Sequence, residues 1–295
     1  MRSIVLIHLG GQFFDYINDC IEQIKKFNSC DIYLVCDDSH RDNVLDKTIN
    51  FISIQSLPHN SKLEVFNNTT QLNKDFRGGF WKFATERFFL IESVIEAYKL
   101  ENVFHLENDN LIYFNVDDHL KIFEGSYNIA AVFDNDSRCI PSFMYFKNLN
   151  SVSDFTSFIL TKNGVNDMEL LPQYKNETNK VSNLPILPLN YDLPFKSQTE
   201  LTTINEKQYF NNIDKFNSIF DGAAIGQYLG GIDPRNQGGD TVGFINESSL
   251  FNVSKFDFEF HTDDKNRRIP FLIYKNQKYK INNLHVHCKN LKKLM

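Results

Sequence analysis

The chain has 295 residues, 42% of them apolar, and a formal net charge of −6 at neutral pH. That length supports one large domain with an ordinary core, and the composition has neither a collagen-like nor a disordered bias. The acidic balance, with no basic cluster beyond the tail Lys289, Lys292 and Lys293, argues against a nucleic-acid binder. No segment approaches the roughly 20 apolar residues of a membrane span. Five cysteines, an odd number without paired spacing, read as thiols of a reducing, cytoplasmic compartment.

The opening MRSIVLIHLG has too short an apolar run for a signal peptide and reads as a first core strand, Ser3 to Leu9, bounded by Gly10 and Gly11. Phe13 to Phe27 carries apolar residues at helical spacing. Asp31 to Cys36 is a second strand ending in Asp37 and Asp38, and Phe51 to Ile54 a third. Trp81 to Leu100 predicts a long amphipathic helix with Phe88, Ile91, Ile95 and Tyr98 on one side. Asn102 to Leu106, Ile129 to Phe133 and Phe143 to Phe146 follow as strands, and Asp154 to Leu160 and Asp167 to Tyr174 as helices. Lys175 to Asn217 is polar and broken by Pro185, Pro188 and Pro194, which suggests a long loop or lid. Ile219 to Leu229 predicts a short helix ended by Gly230 and Gly231. Strands alternating with helices predict an α/β fold with a mostly parallel central sheet flanked by helices, and ligands at the carboxyl ends of its strands.

His8 to Gly11, Asp37 and Glu107 to Asp109 all fall at such ends. The last of these, in VFHLENDNLIYF, is the most informative. Residues two apart on a strand share a face, so Glu107 and Asp109 project together, and two carboxylates are costly to bury without a cation between them. Hard divalent cations such as magnesium and manganese suit these ligands and accept phosphates as further partners. A solvated turn after a core strand is the alternative.

The order of parts resembles the nucleotide-sugar-dependent glycosyltransferases of the GT-A, Rossmann-like, fold. An opening strand-turn-helix leads to an acidic strand end, the helix FWKFATERFF, the Glu-x-Asp element, FMYFKN, the acidic helix start NDMELL and the histidine strand NLHVHCK. The resemblance implies that Glu107 and Asp109, with Asn108 between them, match the Asp-x-Asp element that binds a metal and through it the donor diphosphate. Glu107 departs from the aspartate at the first position. A histidine strand supplies a further ligand in many such enzymes. His285 and His287 lie two apart, and His287 is preferred because Lys289 follows on the same face and can reach the diphosphate. A pair of structural histidines is the alternative. Arg87 matches an arginine used on the donor diphosphate or sugar, against a surface ion pair with Glu86 or Glu92; Arg77 is a second candidate. The nucleotide is expected at His8, Leu9, Gly10 and Gly11, with Asp37 accepting from its base or ribose. Asp167, Glu169 and Asp221 compete as catalytic carboxylates, with helix N-capping the alternative for each aspartate. Trp81 is the aromatic singled out as a sugar platform.

The expectation is a single domain over 1–295, with 1–115 holding the nucleotide sugar and 116–295 the acceptor and the histidine strand. Its implied activity is metal-dependent transfer of a sugar from a nucleotide diphosphate donor, most plausibly a UDP-sugar with Mn2+ or Mg2+, to a hydroxyl acceptor on a glycan or other molecule. Retention and inversion stay open. A nucleotidyltransferase is disfavoured because His8 to Phe14 lacks the lysine or arginine that would bind triphosphate. A degenerate, non-catalytic carbohydrate- or partner-binding domain is the other alternative.

Overall fold

The computed structural model describes residues 2–189, 191, 203, 205–236 and 239–295. Its centre is a seven-stranded sheet. In chain order the first half runs β1 (Ser3–Ile7), α1 (Tyr16–Phe27), β2 (Asp31–Cys36), β3 (Asn50–Ser53), α2 (Ser61–Thr69), α3 (Phe80–Tyr98), β4 (Val103–Leu106), β5 (Asn110–Ile112) and α4 (Val116–Ser126). Then come β6 (Ile129–Asn135), β7 (Arg138–Phe146), α5 (Leu149–Ile159), α6 (Asp167–Thr178) and β8 (Val181–Asn183). The sheet order is β3-β2-β1-β4-β7-β6-β8. β1 pairs in parallel with β2 and β4, β2 with β3, and β6 with β8, while β7 runs against both β4 and β6. The mostly parallel sheet flanked by helices is therefore present. Because β6 runs in the direction of β4, the carboxyl ends of β1, β2, β4 and β6 open on one edge.

The continuous apolar runs account for these strands. Ile4, Val5, Leu6, Val103, Phe104 and Leu106 are wholly buried, as strands covered on both faces require. Polar side chains start several helices: Asn60 accepts from Lys62 N and Leu63 N, Asn115 from Asp117 N, and Asn148 from Ser151 N. Asn148 thus starts α5 at Leu149, earlier than the apolar spacing suggested.

Three expectations are corrected. Phe13 and Phe14 precede α1 in irregular chain, where Phe13 packs against the core and exposed Phe14 stacks on Tyr16 with centroids 5.4 Å apart. The stretch from Lys175 to Asn217 is not one loop, since it holds the end of α6, β8 and α7 (Ile213–Phe216); Pro194 lies outside the described residues. The helix expected from Ile219 is split into β9 (Ser218–Ile219) and α8 (Ala224–Gly230), with Asp221 and Gly222 between. β10 (Asp257–Thr262), β11 (Arg268–Tyr274) and β12 (Gln277–Ile281) join β9 in a second sheet, and β13 (Asn283–His285) pairs antiparallel with β5. Among the described residues no helix is long and apolar enough to cross a membrane. All five cysteines are free thiols.

One half-buried group makes stability depend on acid. The His119 ring on α4 lies 5.4 Å from Phe114 and 5.2 Å from Phe216. Burial, and then Lys280, push its pKa down to about 4, while Asp118 opposes them. An unfolded histidine titrates near 6.5. Below that pH the unfolded chain binds the extra proton, so this contribution is complete above about 6.5 and is lost as pH falls toward about 4. The ring is only partly buried, so the slope is at most about 1 kcal/mol per pH unit. In melting temperatures followed from pH 7 to 4, His119→Phe should flatten the acid limb; an unchanged slope would assign that limb to other groups.

Candidate active site

At the end of β4 the chain turns instead of continuing as a strand. Glu107 N donates to Ser142 O on β7 at 2.8 Å, and Asn110 N closes the turn on Glu107 O at 3.0 Å. Asn108 Nδ2 donates to Ile7 O at 2.9 Å, tying the turn to the end of β1. Glu107 and Asp109 therefore flank a turn, and their proximity comes from its closure, not from strand alternation. Pairing of β5 with β13 then sets His285 opposite Asn110.

His285 Nδ1 lies 2.8 Å from Gly222 O, and a carbonyl only accepts, so this nitrogen carries the hydrogen. Nε2 faces the turn, 3.2 Å from Glu107 Oε2 and 3.2 Å from Asp109 Oδ2. One ligand atom from each of Glu107, Asp109 and His285 fits within 4.8 Å of the others. Burial works against the charged imidazole, but Asp109 and Glu107 outweigh it and raise the His285 pKa to about 9. A proton held between two carboxylates marks a position where positive charge is stabilised. Two carboxylate oxygens and one imidazole nitrogen fit manganese or magnesium and leave coordination positions for other oxygen ligands.

Lys289 and Arg87 border this cluster. The Lys289 ammonium pairs with Asp109, and its own backbone sits at φ 64, a strained conformation for a non-glycine residue. Burial pushes the Asp109 carboxyl up, but Lys289 and His285 hold it well below the usual range. Arg87, buried on α3, bridges Glu107 and Asp167, meeting Asp167 Oδ2 at 2.7 Å. A guanidinium fork suits this two-carboxylate contact. It is not the surface ion pair with Glu86 or Glu92: Lys82 pairs with Glu86 and Lys62 with Glu92. Asn166, not Asp167, caps α6, accepting from Met168 N at 3.1 Å and Glu169 N at 3.3 Å. Asp167 is left to point inward, and burial, partly offset by Arg87, raises its pKa to about 6. Its Oδ1 has no hydrogen-bond partner.

Asp221 is placed differently. Its carboxylate accepts from Ile225 N at 2.9 Å, Gly226 N at 2.8 Å and His285 N at 3.1 Å, so it caps α8 and holds the histidine strand. Buried Asn283 donates to Asp221 O at 2.7 Å and to Asn110 Oδ1 at 3.1 Å, linking the same strand to the carboxylate turn.

The preference for His287 over His285 is not met by the geometry. β13 ends at His285 and the chain bends at once, with His287 N donating to His285 O at 3.0 Å. The two rings meet edge to face at 4.8 Å, and His287 lies outside the carboxylate cluster. Burial and the charge of His285 lower its pKa to about 3.

On the same edge, His8, Gly10 and Asp37 come together around His40. The His8 and His40 rings are 5.6 Å apart, and His40 Nε2 is 3.4 Å from Gly10 O. Leu9 is half-buried; Gly10 and Gly11 are exposed, with open space where a side chain would be. Asp37 accepts from Ser39 N at 2.9 Å and Gln55 Nε2 at 2.5 Å; the Ser39 bonds, with Gln55, bring its pKa to about 2. Glu169 is exposed and accepts from Asn166 Nδ2 at 3.0 Å.

Sequence reading missed Asp134, at the carboxyl end of β6. Its Oδ2 is buried without a hydrogen-bond partner, with Arg138 Nε 3.8 Å away, and burial raises its pKa to about 6. An aspartate ending an apolar strand was the available signal, the same one that singled out Asp37. Asp233 and Arg235 were also missed. Arg235 Nη2 meets Asp233 Oδ2 at 2.6 Å, and Arg77, at φ 49, approaches the same oxygen to 3.9 Å.

No protein-family model matches the sequence, and no curated protein does. Solved structures similar to it include glycosyltransferases. Mouse xyloside xylosyltransferase 1 in its apo form is 8% identical over 63% of this chain and 86% of its own, with a TM-score of 0.46. The galactosyltransferase LgtC, bound to donor and acceptor sugar analogues, is 12% identical over 62% and 73%, at 0.43. The PaToxG glycosyltransferase is 16% identical over 60% and 68%, at 0.41.

Proposed function

We propose that the protein is a glycosyltransferase that takes a sugar from a nucleotide diphosphate donor, a UDP-sugar foremost, and passes it to a hydroxyl acceptor. The observation that carries this reading is the Glu107, Asp109 and His285 cluster, enclosed by Lys289 and Arg87 at the carboxyl edge of a mostly parallel sheet. A bound Mn2+ or Mg2+ would supply charge stabilisation to the departing diphosphate. Glu107, Asp109 and His285 would hold it, and Lys289 is free to exchange its pairing with Asp109 for a phosphate oxygen. Asp221 is a positioning residue, fixing the backbone of His285. Arg87 orients Asp167 so that Oδ1 receives donor-sugar hydroxyls, and Glu169 on the same helix start meets the incoming acceptor. The uridine base and ribose occupy the edge formed by His8, Leu9, Gly10, Gly11 and Asp37, while Asn108 keeps the metal turn against β1.

The test is nucleoside diphosphate release from a panel of UDP-, GDP- and ADP-sugars with manganese and with chelator. One donor should be consumed in manganese alone. Release that survives the chelator, or no donor consumed and none raising the melting temperature, would refute the proposal.

A further inference from the structure

A second set of charges lies just past the end of α8. Gly231 turns the chain there at φ 95, and an added Cβ would stand 2.2 Å from Asp240 C. That close backbone approach, with the bond from Ile232 N to Gly239 O at 2.8 Å, closes a loop that carries Asp233, Arg235 and Asn236. Asp233 Oδ1 accepts from Arg235 N at 2.8 Å and from Arg235 Nε at 3.0 Å, and its Oδ2 accepts from Nη2 at 2.6 Å. The Asp233 side chain is 5% exposed and that of Arg235 57%, so a buried carboxylate holds out a guanidinium toward solvent. Arg77 fastens the same loop. Its Nη2 donates to Asn236 Oδ1, its Nη1 lies 3.9 Å from Asp233 Oδ2, and its guanidinium covers the Phe76 ring at 5.4 Å.

Lys289 and Tyr16 join this loop to the metal cluster. The Lys289 ammonium pairs with Asp109 and sits 5.8 Å from the centre of the Tyr16 ring. Burial pushes the Asp233 carboxyl up, but Arg235 and then Lys289 bring it down to about 2. Burial raises the Tyr16 hydroxyl, which Asp109, Arg235, Asp233 and Glu107 also influence. Three cations, Arg77, Arg235 and Lys289, thus share two carboxylates, Asp109 and Asp233. A dication on Asp109 takes that carboxylate from Lys289 and leaves the three around Asp233. Such a surplus of positive charge suits a ligand with two phosphates. A guanidinium already forked over a carboxylate also has the shape to fork over a phosphate.

Resting on the transferase reading, we infer that Arg235 is a further donor-binding residue, which clasps the diphosphate beside Lys289. Before the donor arrives, Asp233 holds the fork of Arg235 in place. On binding, the fork passes from the carboxylate to phosphate oxygens, and Arg77 stays to neutralise Asp233.

Inorganic pyrophosphate and UDP, each with manganese, would be titrated calorimetrically into the parent chain, Arg235→Gln and Arg235→Lys. Glutamine keeps an N–H donor for Asp233 and removes the charge. Both ligands should bind Arg235→Gln about tenfold or more weakly than the parent, with Arg235→Lys, a charge without the fork, between the two. The rise in melting temperature given by manganese alone should be no smaller in Arg235→Gln, which separates a lost phosphate contact from a disturbed metal cluster. Equal affinities in all three proteins, or a manganese response lost together with ligand binding, would overturn the inference. Donor consumption measured in parallel separates the two readings. A consumed donor with UDP bound equally by Arg235→Gln removes the assignment of Arg235 and keeps the transferase. Pyrophosphate binding that depends on Arg235, with UDP silent and no donor consumed, keeps the diphosphate contact and removes the transferase. No binding of either ligand to the parent refutes both.

Discussion

Asp109→Asn is expected to reduce manganese-dependent donor consumption by about 1,000-fold or more, and to abolish the rise in melting temperature that manganese produces in the parent chain. Asparagine keeps the shape of the side chain and removes its charge. The carboxylate is 5% exposed and shares its Oδ2 with both His285 and Lys289, so no solvent-borne group can replace it. Loss of that charge leaves the Lys289 ammonium unpaired beside one remaining ligand carboxylate, Glu107, already engaged by Arg87. A dication entering such a site meets net repulsion. Metal titration by thermal shift and nucleoside diphosphate release would be measured on the same preparations. Retention of both by the variant would show that the metal binds elsewhere.

The second large effect concerns a residue without a side chain. Gly226→Ala should lower stability by about 3 kcal/mol or more and uncouple the histidine from the carboxylate turn. An added Cβ would stand 2.1 Å from His285 O and 2.7 Å from His285 C, distances that only a backbone shift can relieve. The same shift opposes the bonds from Gly226 N and His285 N to Asp221, and moves Nε2 away from Glu107 and Asp109. Gly125→Ala on α4 is the matched comparison: nothing lies within 4 Å of its added Cβ, and alanine in a helix should raise stability by up to about 1 kcal/mol. Chemical denaturation compares the two. Equal stabilities would mean that α8 and β13 separate without cost, which would contradict the packing.

Both effects meet at His285, which shows where sequence reasoning succeeded and stopped. Glu107 and Asp109 were legible because their signal is local, carboxylates at the end of an apolar strand; Arg87 was singled out only through the resemblance, and its partners Glu107 and Asp167 are set by tertiary packing. The choice between His285 and His287 was not local. Alternation assumes that the strand continues, whereas β13 ends at His285 and its partner strand decides which ring faces the carboxylates. For Asp167 and Asp221 the same composition rule, helix capping, applied to both. Only the neighbours distinguish them: Asn166 caps α6 and releases Asp167 to Arg87, while Asp221 has only backbone donors to satisfy.

Taken by itself, the chain order of apolar runs and turn residues determined an α/β architecture with a mostly parallel sheet, and the chemical type of its most acidic strand end. Such features are set by periodicity and by the cost of burying charge, which act over a few residues. Tertiary structure decided the rest. It carried His285 across 176 residues to Asp109 and joined Arg87 to Asp167 over 80. Those contacts depend on strand pairing and close packing between distant segments, and Gly226, a glycine required by the approach of another backbone, carries no sign of that need in its own sequence.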